Sequence, residues 1–261
     1  MSDRAILQLA GTSDARALAL ELKQAGWEPL CTVVTESAAH SLEEAGLNHQ
    51  IGRMTAEQMA ELVRSKGLKA IVDASHPFAE EASRNAIAAA EAAGVPYVRY
   101  ERDSLSFEAN PLVTFVDDYE QAAELAAGKG GVIMLTTGSK TLQIFTERLL
   151  GLPDTTLIAR MLPRRDNMEK CEQLGVPQKH IVAMQGPFSA ELNTALYRQY
   201  GVTLMITKES GQVGAVDEKV TTALALGIET IIIGRPQVAY GTVCNDFGSV
   251  QQSLTAALSG A

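Results

Sequence analysis

Short apolar runs and longer amphipathic segments alternate along nearly the whole 261-residue sequence, and that alternation restricts the fold more than any other feature. Runs at 5–10, 28–34, 69–74 and 96–100 read as buried strands. Segments at 14–25, 55–66 and 78–93 carry apolar residues on a helical period. A helical crossover returns each strand in the direction of the one before, so strand–helix–strand order implies parallel pairing with helices on both faces. The period lapses between 101 and 110, which reads as a loop. A strand at 113–116 and a helix at 118–127 lead to the turn cluster Gly128-Lys129-Gly130-Gly131. Beyond it, strands are expected at 132–136, 156–161, 180–183, 203–207 and 230–233. The matching helices fall at 140–150, 166–174, 189–200, 216–226 and 250–258. The fold class expected is α/β, with two Rossmann-like lobes, mainly parallel sheets and a cleft between the lobes. Residues 1–128 would form a dinucleotide-binding lobe, and residues 129–261 a second α/β lobe contributing to the substrate and cofactor cleft.

The stretch Ile71-Val72-Asp73-Ala74-Ser75-His76-Pro77-Phe78 carries the strongest chemical signal. An apolar strand empties into three polar residues, and a proline then opens an alanine-rich helix. Such a junction lies at the carboxyl edge of a parallel sheet, where free backbone N–H groups and a partial positive field favour anionic ligands. Asp73, Ser75 and His76 are thus placed to touch a bound molecule and are the candidate catalytic residues. The plainer alternative is that Ser75 or His76 merely caps the helix, with Pro77 in its first turn.

The first strand ends in Ala10-Gly11-Thr12-Ser13-Asp14-Ala15-Arg16. Gly11 would let backbone approach a phosphate, Thr12 and Ser13 could donate to it, and Arg16 lies in the first helical turn. Capping by Thr12 or Ser13, with Asp14 on the helix dipole, is the competing account. Two glycines of the Gly-x-Gly-x-x-Gly fingerprint are missing. Glu36, beyond the second strand, stands where a nucleotide-binding sheet grips ribose hydroxyls, and it leans the cofactor towards NADH over NADPH. Arg53 is the nearest residue that could answer a 2′-phosphate, and a solvated loop glutamate is the plainer account of Glu36. Thr137-Gly138 repeats the strand, turn and helix logic in the second half. Lys208, Ser210 and Gly211 close another strand, with Lys219 on the next helix and Arg160, Arg164 and Arg165 after an earlier one. Together they could hold a multiply charged anion, although each cation alone is more simply a solvated surface group.

The net charge of −9 argues against a nucleic-acid binder with a broad basic face, while leaving room for a small anion held by local cations. Cys31, Cys171 and Cys244 show neither pairing nor metal-ligand spacing, so a reduced, cytoplasmic protein without structural zinc is expected. The opening Met1-Ser2-Asp3-Arg4 lacks a signal-peptide layout, and no apolar run approaches the ~20 residues of a membrane helix. The sequence does not address oligomeric state.

Taken together, these stretches resemble the precorrin-6A reductase family of cobalamin biosynthesis, CobK in the aerobic route and CbiJ in the anaerobic one. The carriers are Gly11-Thr12-Ser13-Asp14-Ala15-Arg16, similar to the family's Gly-Gly-Thr-x-Glu-x-Arg; Asp73-Ala74-Ser75-His76-Pro77-Phe78; Thr137-Gly138; and Thr207-Lys208-Glu209-Ser210-Gly211 with Lys219. Ala10 stands for the first family glycine and Asp14 for its glutamate. The resemblance implies a two-lobed reductase that uses NADH or NADPH to reduce one double bond of precorrin-6A, or its cobalt form, to the 6B product. It also implies a cofactor held by Gly11, Thr12, Ser13 and Arg16, and a nicotinamide or reacting ring facing Ser75 and His76. Spacing alone leaves open a methyltransferase using S-adenosylmethionine or a non-catalytic dinucleotide sensor.

Overall fold

The computed structural model describes residues 3–101, 110–209 and 218–259. In chain order come β1 (Ala5–Leu9), α1 (Ser13–Gln24), β2 (Glu28–Val33), α2 (Glu36–Glu44), β3 (His49–Ile51), α3 (Ala56–Lys66), β4 (Ile71–Asp73), α4 (Glu80–Ala93) and β5 (Tyr97–Tyr100). The chain continues through β6 (Val113–Val116), α5 (Tyr119–Lys129), β7 (Gly131–Leu135), α6 (Leu142–Leu149), β8 (Thr155–Met161) and α7 (Arg165–Gln173). A 3-10 turn (Gln178–His180) precedes β9 (Ile181–Ala183), α8 (Ala190–Tyr200), β10 (Leu204–Lys208), α9 (Glu218–Ala225), β11 (Glu229–Ile233), β12 (Val243–Cys244) and α10 (Phe247–Ser259).

Two six-stranded sheets result, with strand orders β12-β5-β4-β1-β2-β3 and β6-β11-β10-β7-β8-β9. Every described pairing is parallel. The α/β, Rossmann-like expectation therefore holds for both.

The expected division at residue 128 does not hold. One unit comprises Met1–Asp103 with Pro236–Ala261, and the other Ser104–Arg235. Strand β6 pairs with β11, so it belongs to the second unit, while β12 pairs with β5 and returns the chain to the first. The glycine cluster taken for a boundary is instead the α5–β7 connection inside the second unit. There Gly130 ends α5 with φ of 65°, and Gly131, with φ of 84°, sits so close to the Thr203 hydroxyl that a Cβ would collide with it. A turn signal marks where a helix stops, and strand pairing alone decides which sheet the next strand joins.

In the first unit, alternate strand residues point to opposite faces. Ile6, Cys31, Val72 and Val98 pack with Leu18 and Leu22 of α1, Leu42 of α2 and Val250 and Leu254 of α10. Leu7, Leu9 and Ile71 meet Met59 and Val63 of α3 and Ala86 and Ala90 of α4 on the other face. In the second unit, Met134, Ile158, Met205 and Ile232 pack against Tyr197 of α8 and Val220 of α9. Three elements escaped the sequence analysis: α2, β3 and β12. The two strands hold three and two residues, too short for a period to register, and α2 offers only Ala39 and Leu42 as buried residues. Among the described residues no helix is long and apolar enough to cross a membrane.

Trp27, the chain's single tryptophan, lies in the same core cluster as Leu254 of the C-terminal helix. Leu254→Ala should therefore destabilise the first unit by about 2–5 kcal/mol, seen as an earlier urea midpoint in tryptophan fluorescence. An unchanged midpoint would mean that α10 is not part of that core.

Candidate functional site

Parallel pairing aligns Leu9 of β1 with Asp73 of β4, so the turn after β1 and the corner after β4 emerge side by side at one sheet edge. Chain order passes from β1 to β2 and β3 on one side and only then to β4 on the other. These two strands thus flank the point where the winding reverses, the position at which open α/β sheets leave a crevice. The Ala74 N–H donates to the Leu9 carbonyl at 3.3 Å and closes the join between turn and corner.

The corner rests on a buried ion pair. Asp73 and Arg99, the latter from β5, are both fully buried, and Arg99 Nη1 lies 2.9 Å from Asp73 Oδ1. The same carboxylate accepts the Ser75 N–H at 2.9 Å and the Tyr97 hydroxyl at 2.8 Å. Arg99 also donates to the Ser75 hydroxyl at 3.2 Å and, through Nε, to Glu101 at 3.1 Å. Its guanidinium carbon lies 4.8 Å from the centroid of the Tyr240 ring. Burial alone would push the Asp73 carboxyl up, but the Arg99 charge and the Ser75 and Ser83 hydrogen bonds hold it below the usual range. Burial beside Asp73 drives the Tyr97 phenol far up, so it stays a neutral donor.

Asp73 is consequently not open to a ligand as the sequence suggested; it organises the corner from beneath. Ser75 and His76 are half-buried above it. Neither caps α4, whose N-cap is Ala79 with no side-chain cap bond. Instead the Phe78 N–H donates to His76 Nδ1 at 3.2 Å, and the Ala79 N–H to the His76 carbonyl at 2.7 Å. A neutral His76 with Nδ1 occupied as acceptor carries its proton on Nε2. The capping account therefore fails at this corner.

It succeeds at the first turn, where Thr12 is the N-cap of α1 and its hydroxyl accepts the Ala15 N–H at 3.1 Å. Gly11 is exposed, and a Cβ built on it would meet nothing within 4 Å, so the turn faces open space. Ser13 is exposed and Asp14 half-buried in the first helical turn. Arg16 donates to Ser41 of α2. Gln8, fully buried in β1, donates to the Ala15 carbonyl at 2.6 Å and ties strand to helix. Glu36 is not a loop residue: Thr35 caps α2 and Glu36 is its first, exposed residue. Val34 and Ile51, at the ends of neighbouring strands, are also exposed.

The second unit brings Thr137, Gly138 and Lys208 to one edge, because β7 pairs with β10. Thr137 is buried with its hydroxyl 3.3 Å from that of Thr141, and Gly138, at φ of 83°, opens onto free space. Burial lowers the Lys208 ammonium pKa, and the nearby charges of Lys140 and Lys219 lower it further. Arg160 is buried, donating to Asn193 at 2.7 Å, with Phe188 stacked 4.4 Å from it. Arg164 and Arg165 are exposed and paired with Asp166 and Glu169. Ser210 and Gly211 lie outside the described residues.

Comparison with known proteins gives this geometry its context. Residues 5–257 match the model of the precorrin-6x reductase CbiJ/CobK family. The chain belongs to the CbiJ/CobK family. It is 60% identical over 249 residues to the cobalt-precorrin-6A reductase of Priestia megaterium, covering 95% of this chain and 97% of that one. Identity to the cobalt-precorrin-6A reductase of Salmonella typhimurium is 37%, covering 90% and 89% of the two chains. Against the precorrin-6A reductase of Rhodococcus erythropolis it is 33%, covering 91% of each. A solved CobK precorrin-6A reductase superposes with a TM-score of 0.78 at 25% identity, covering 97% of this chain and 96% of that one.

Membership of the CbiJ/CobK reductases makes this chain an oxidoreductase and sets aside the methyltransferase and sensor alternatives. Arg99, Tyr97, Glu101, Ser83 and Tyr240 join the site without belonging to any of the motifs read from the sequence. One signal was available: an arginine inside the apolar strand Tyr97-Val98-Arg99-Tyr100 demands a buried anion.

Asp73→Asn would leave the Arg99 guanidinium, among the described residues, with Glu101 alone to answer its charge, so a loss near the lower end of about 3–5 kcal/mol is expected. Because the folded carboxyl titrates below its unfolded value of about 3.9, the stabilisation is complete above that pH and is lost as pH falls through the folded value. Thermal melts in acid should therefore fall steeply for wild type below about pH 4 and more gently for Asp73→Asn. Parallel curves would contradict this account.

Proposed function

We propose that this chain reduces one ring double bond of cobalt-precorrin-6A to the 6B form, with NADH as the reductant. The observation that carries the proposal is the register of Leu9 with Asp73, which sets an open glycine turn beside a polar corner at one sheet edge. The choice of the cobalt-bearing substrate rests on the 60% identity to a relative of that name, against 33% to one named for the metal-free compound.

The first unit fits a dinucleotide. Gly11 opens at the N-terminus of a twelve-residue helix, where backbone N–H groups and the dipole favour phosphate. Thr12, whose hydroxyl oxygen accepts the Ala15 N–H in the cap, keeps its O–H to donate, and Ser13 has an exposed hydroxyl to offer. Exposed Val34 and Ile51 give a purine an apolar surface, and Glu36, at the start of α2, accepts from ribose hydroxyls and repels a 2′-phosphate. When bound, the reduced nicotinamide supplies the hydride.

The chain's own residues orient the substrate and deliver a proton. His76 is the proposed donor once its ring is protonated, which displaces the Phe78 N–H from Nδ1; the imidazolium gives its Nε2 proton to the reacting ring and returns to the neutral state, with Ser75 beside it. The acetate and propionate arms that the family resemblance implies for the substrate make it a polyanion. Lys208, with Lys140 and Lys219 already straining its charge, gains from such a partner, and Arg164 and Arg165 lie on the same edge. Arg160 is committed to Asn193 and Phe188, so its part is to shape that edge from within.

Mixing the protein with each reduced nucleotide and with cobalt-loaded or metal-free precorrin-6A, and following loss of reduced-nicotinamide absorbance, tests cofactor and substrate together. NADH with the cobalt form should react fastest; equal or faster turnover with NADPH would remove the role given to Glu36. His76→Ala should lower kcat by about 10²–10⁴, the usual worth of a positioned general acid. Full turnover at saturating substrate would assign the proton to water instead.

A further inference from the structure

We infer that Arg99 is a positioning residue that acts through Asp73 and Ser75 to aim His76, with Tyr240 as the cover that holds its guanidinium in place. The inference rests on the reading of His76 given above and deepens it. Nothing in packing calls for an arginine here. Its side chain is fully buried, its Nη2 finds no hydrogen-bond acceptor among the described residues, and apolar residues of like volume commonly serve stability as well as a buried ion pair. The guanidinium does make contacts that an apolar side chain could not. Nη1 reaches both Asp73 Oδ1 at 2.9 Å and Ser75 Oγ at 3.2 Å, so one rigid group fixes the carboxylate that receives the Ser75 N–H and the hydroxyl of the same serine. The backbone N–H and the hydroxyl of the residue before His76 are thereby both tied, which restricts how the chain enters His76.

The opposite side of Arg99 is equally constrained. Nε is held by Glu101 at 3.1 Å, the backbone N–H donates to the Thr242 carbonyl at 2.9 Å, and the Tyr240 ring covers the guanidinium. Tyr240 and Thr242 lie on the segment that brings the chain back to β12, so this segment runs beside Arg99 at the sheet edge and sets the Tyr240 ring against the guanidinium. A lysine offers a single ammonium and no fork, and cannot serve Asp73, Ser75 and Glu101 at once.

The test is a double-mutant cycle in the full-length protein on cobalt-precorrin-6A. Arg99→Lys and Tyr240→Leu should each lower kcat by about 10- to 100-fold, as small misplacements of a reacting group do, with KM changed by less than about 3-fold. In a His76→Ala background the same changes should cost under about 2-fold, because the group they aim is gone. NMR of the four histidine rings supplies a second readout, in which Arg99→Lys should move or broaden the His76 signals alone. Should Arg99→Lys fail to fold, Tyr240→Leu leaves the ion pair intact and carries both measurements. Equal losses in the two backgrounds, or unmoved His76 signals, would overturn the inference while leaving the reductase reading intact. Wild-type turnover by His76→Ala would remove both the donor role and the inference. A wild-type chain inactive on cobalt-precorrin-6A would defeat the proposed substrate, and the histidine spectra would then decide the inference.

Discussion

The ion pair between Asp73 and Arg99 is the constraint on which the site in the first unit depends. Two full charges lie inside the core, and their desolvation is tolerable only because the partners are 2.9 Å apart and the remaining lone pairs are taken by Tyr97, Ser75 and Ser83. Such a network has little freedom. Moving Asp73 by an ångström would strand a carboxylate and a guanidinium together, so the corner that begins at Ala74 inherits the rigidity of the sheet beneath it. A half-buried Ser75 and His76 on an otherwise irregular loop are thereby as well placed as residues on a strand.

Sheet topology does the rest of the placing. In each unit the first central strand is followed by two on one side before the chain crosses to the other, and the residues with chemical potential gather at that reversal. In the first unit these are Gly11 and the Asp73–His76 corner, and in the second Thr137, Gly138 and Lys208. The two edges differ in charge: the first carries Glu36 and a histidine, the second a cluster of lysines and arginines.

Much of this was legible in the residues. The apolar runs located nearly every long strand, and the polar cluster after Val72 located the corner, since a helix cap needs one oxygen and not three polar side chains. Thr12 behaved as the simpler account said, an N-cap first. Glu36 lies just beyond the second strand as expected, but the helix it opens went unseen because α2 shows too few buried residues for its period to stand out. The role of Asp73 was misjudged because burial is decided by a partner twenty-six residues away on another strand.

Local pattern alone determined that this chain forms strands and helices in alternation, that the strands are parallel, and that glycine turns and a serine–histidine corner sit at strand ends. These follow from short-range periodicity and turn chemistry, which a sequence carries explicitly. Which sheet each edge strand joins was decided only in three dimensions, because β6 and β12 are short and their pairing depends on which neighbour has an open edge. The identity of Arg99 as the counter-charge of Asp73 was decided there too. Ion pairing falls steeply with distance, and the fold alone brings β4 and β5 side by side.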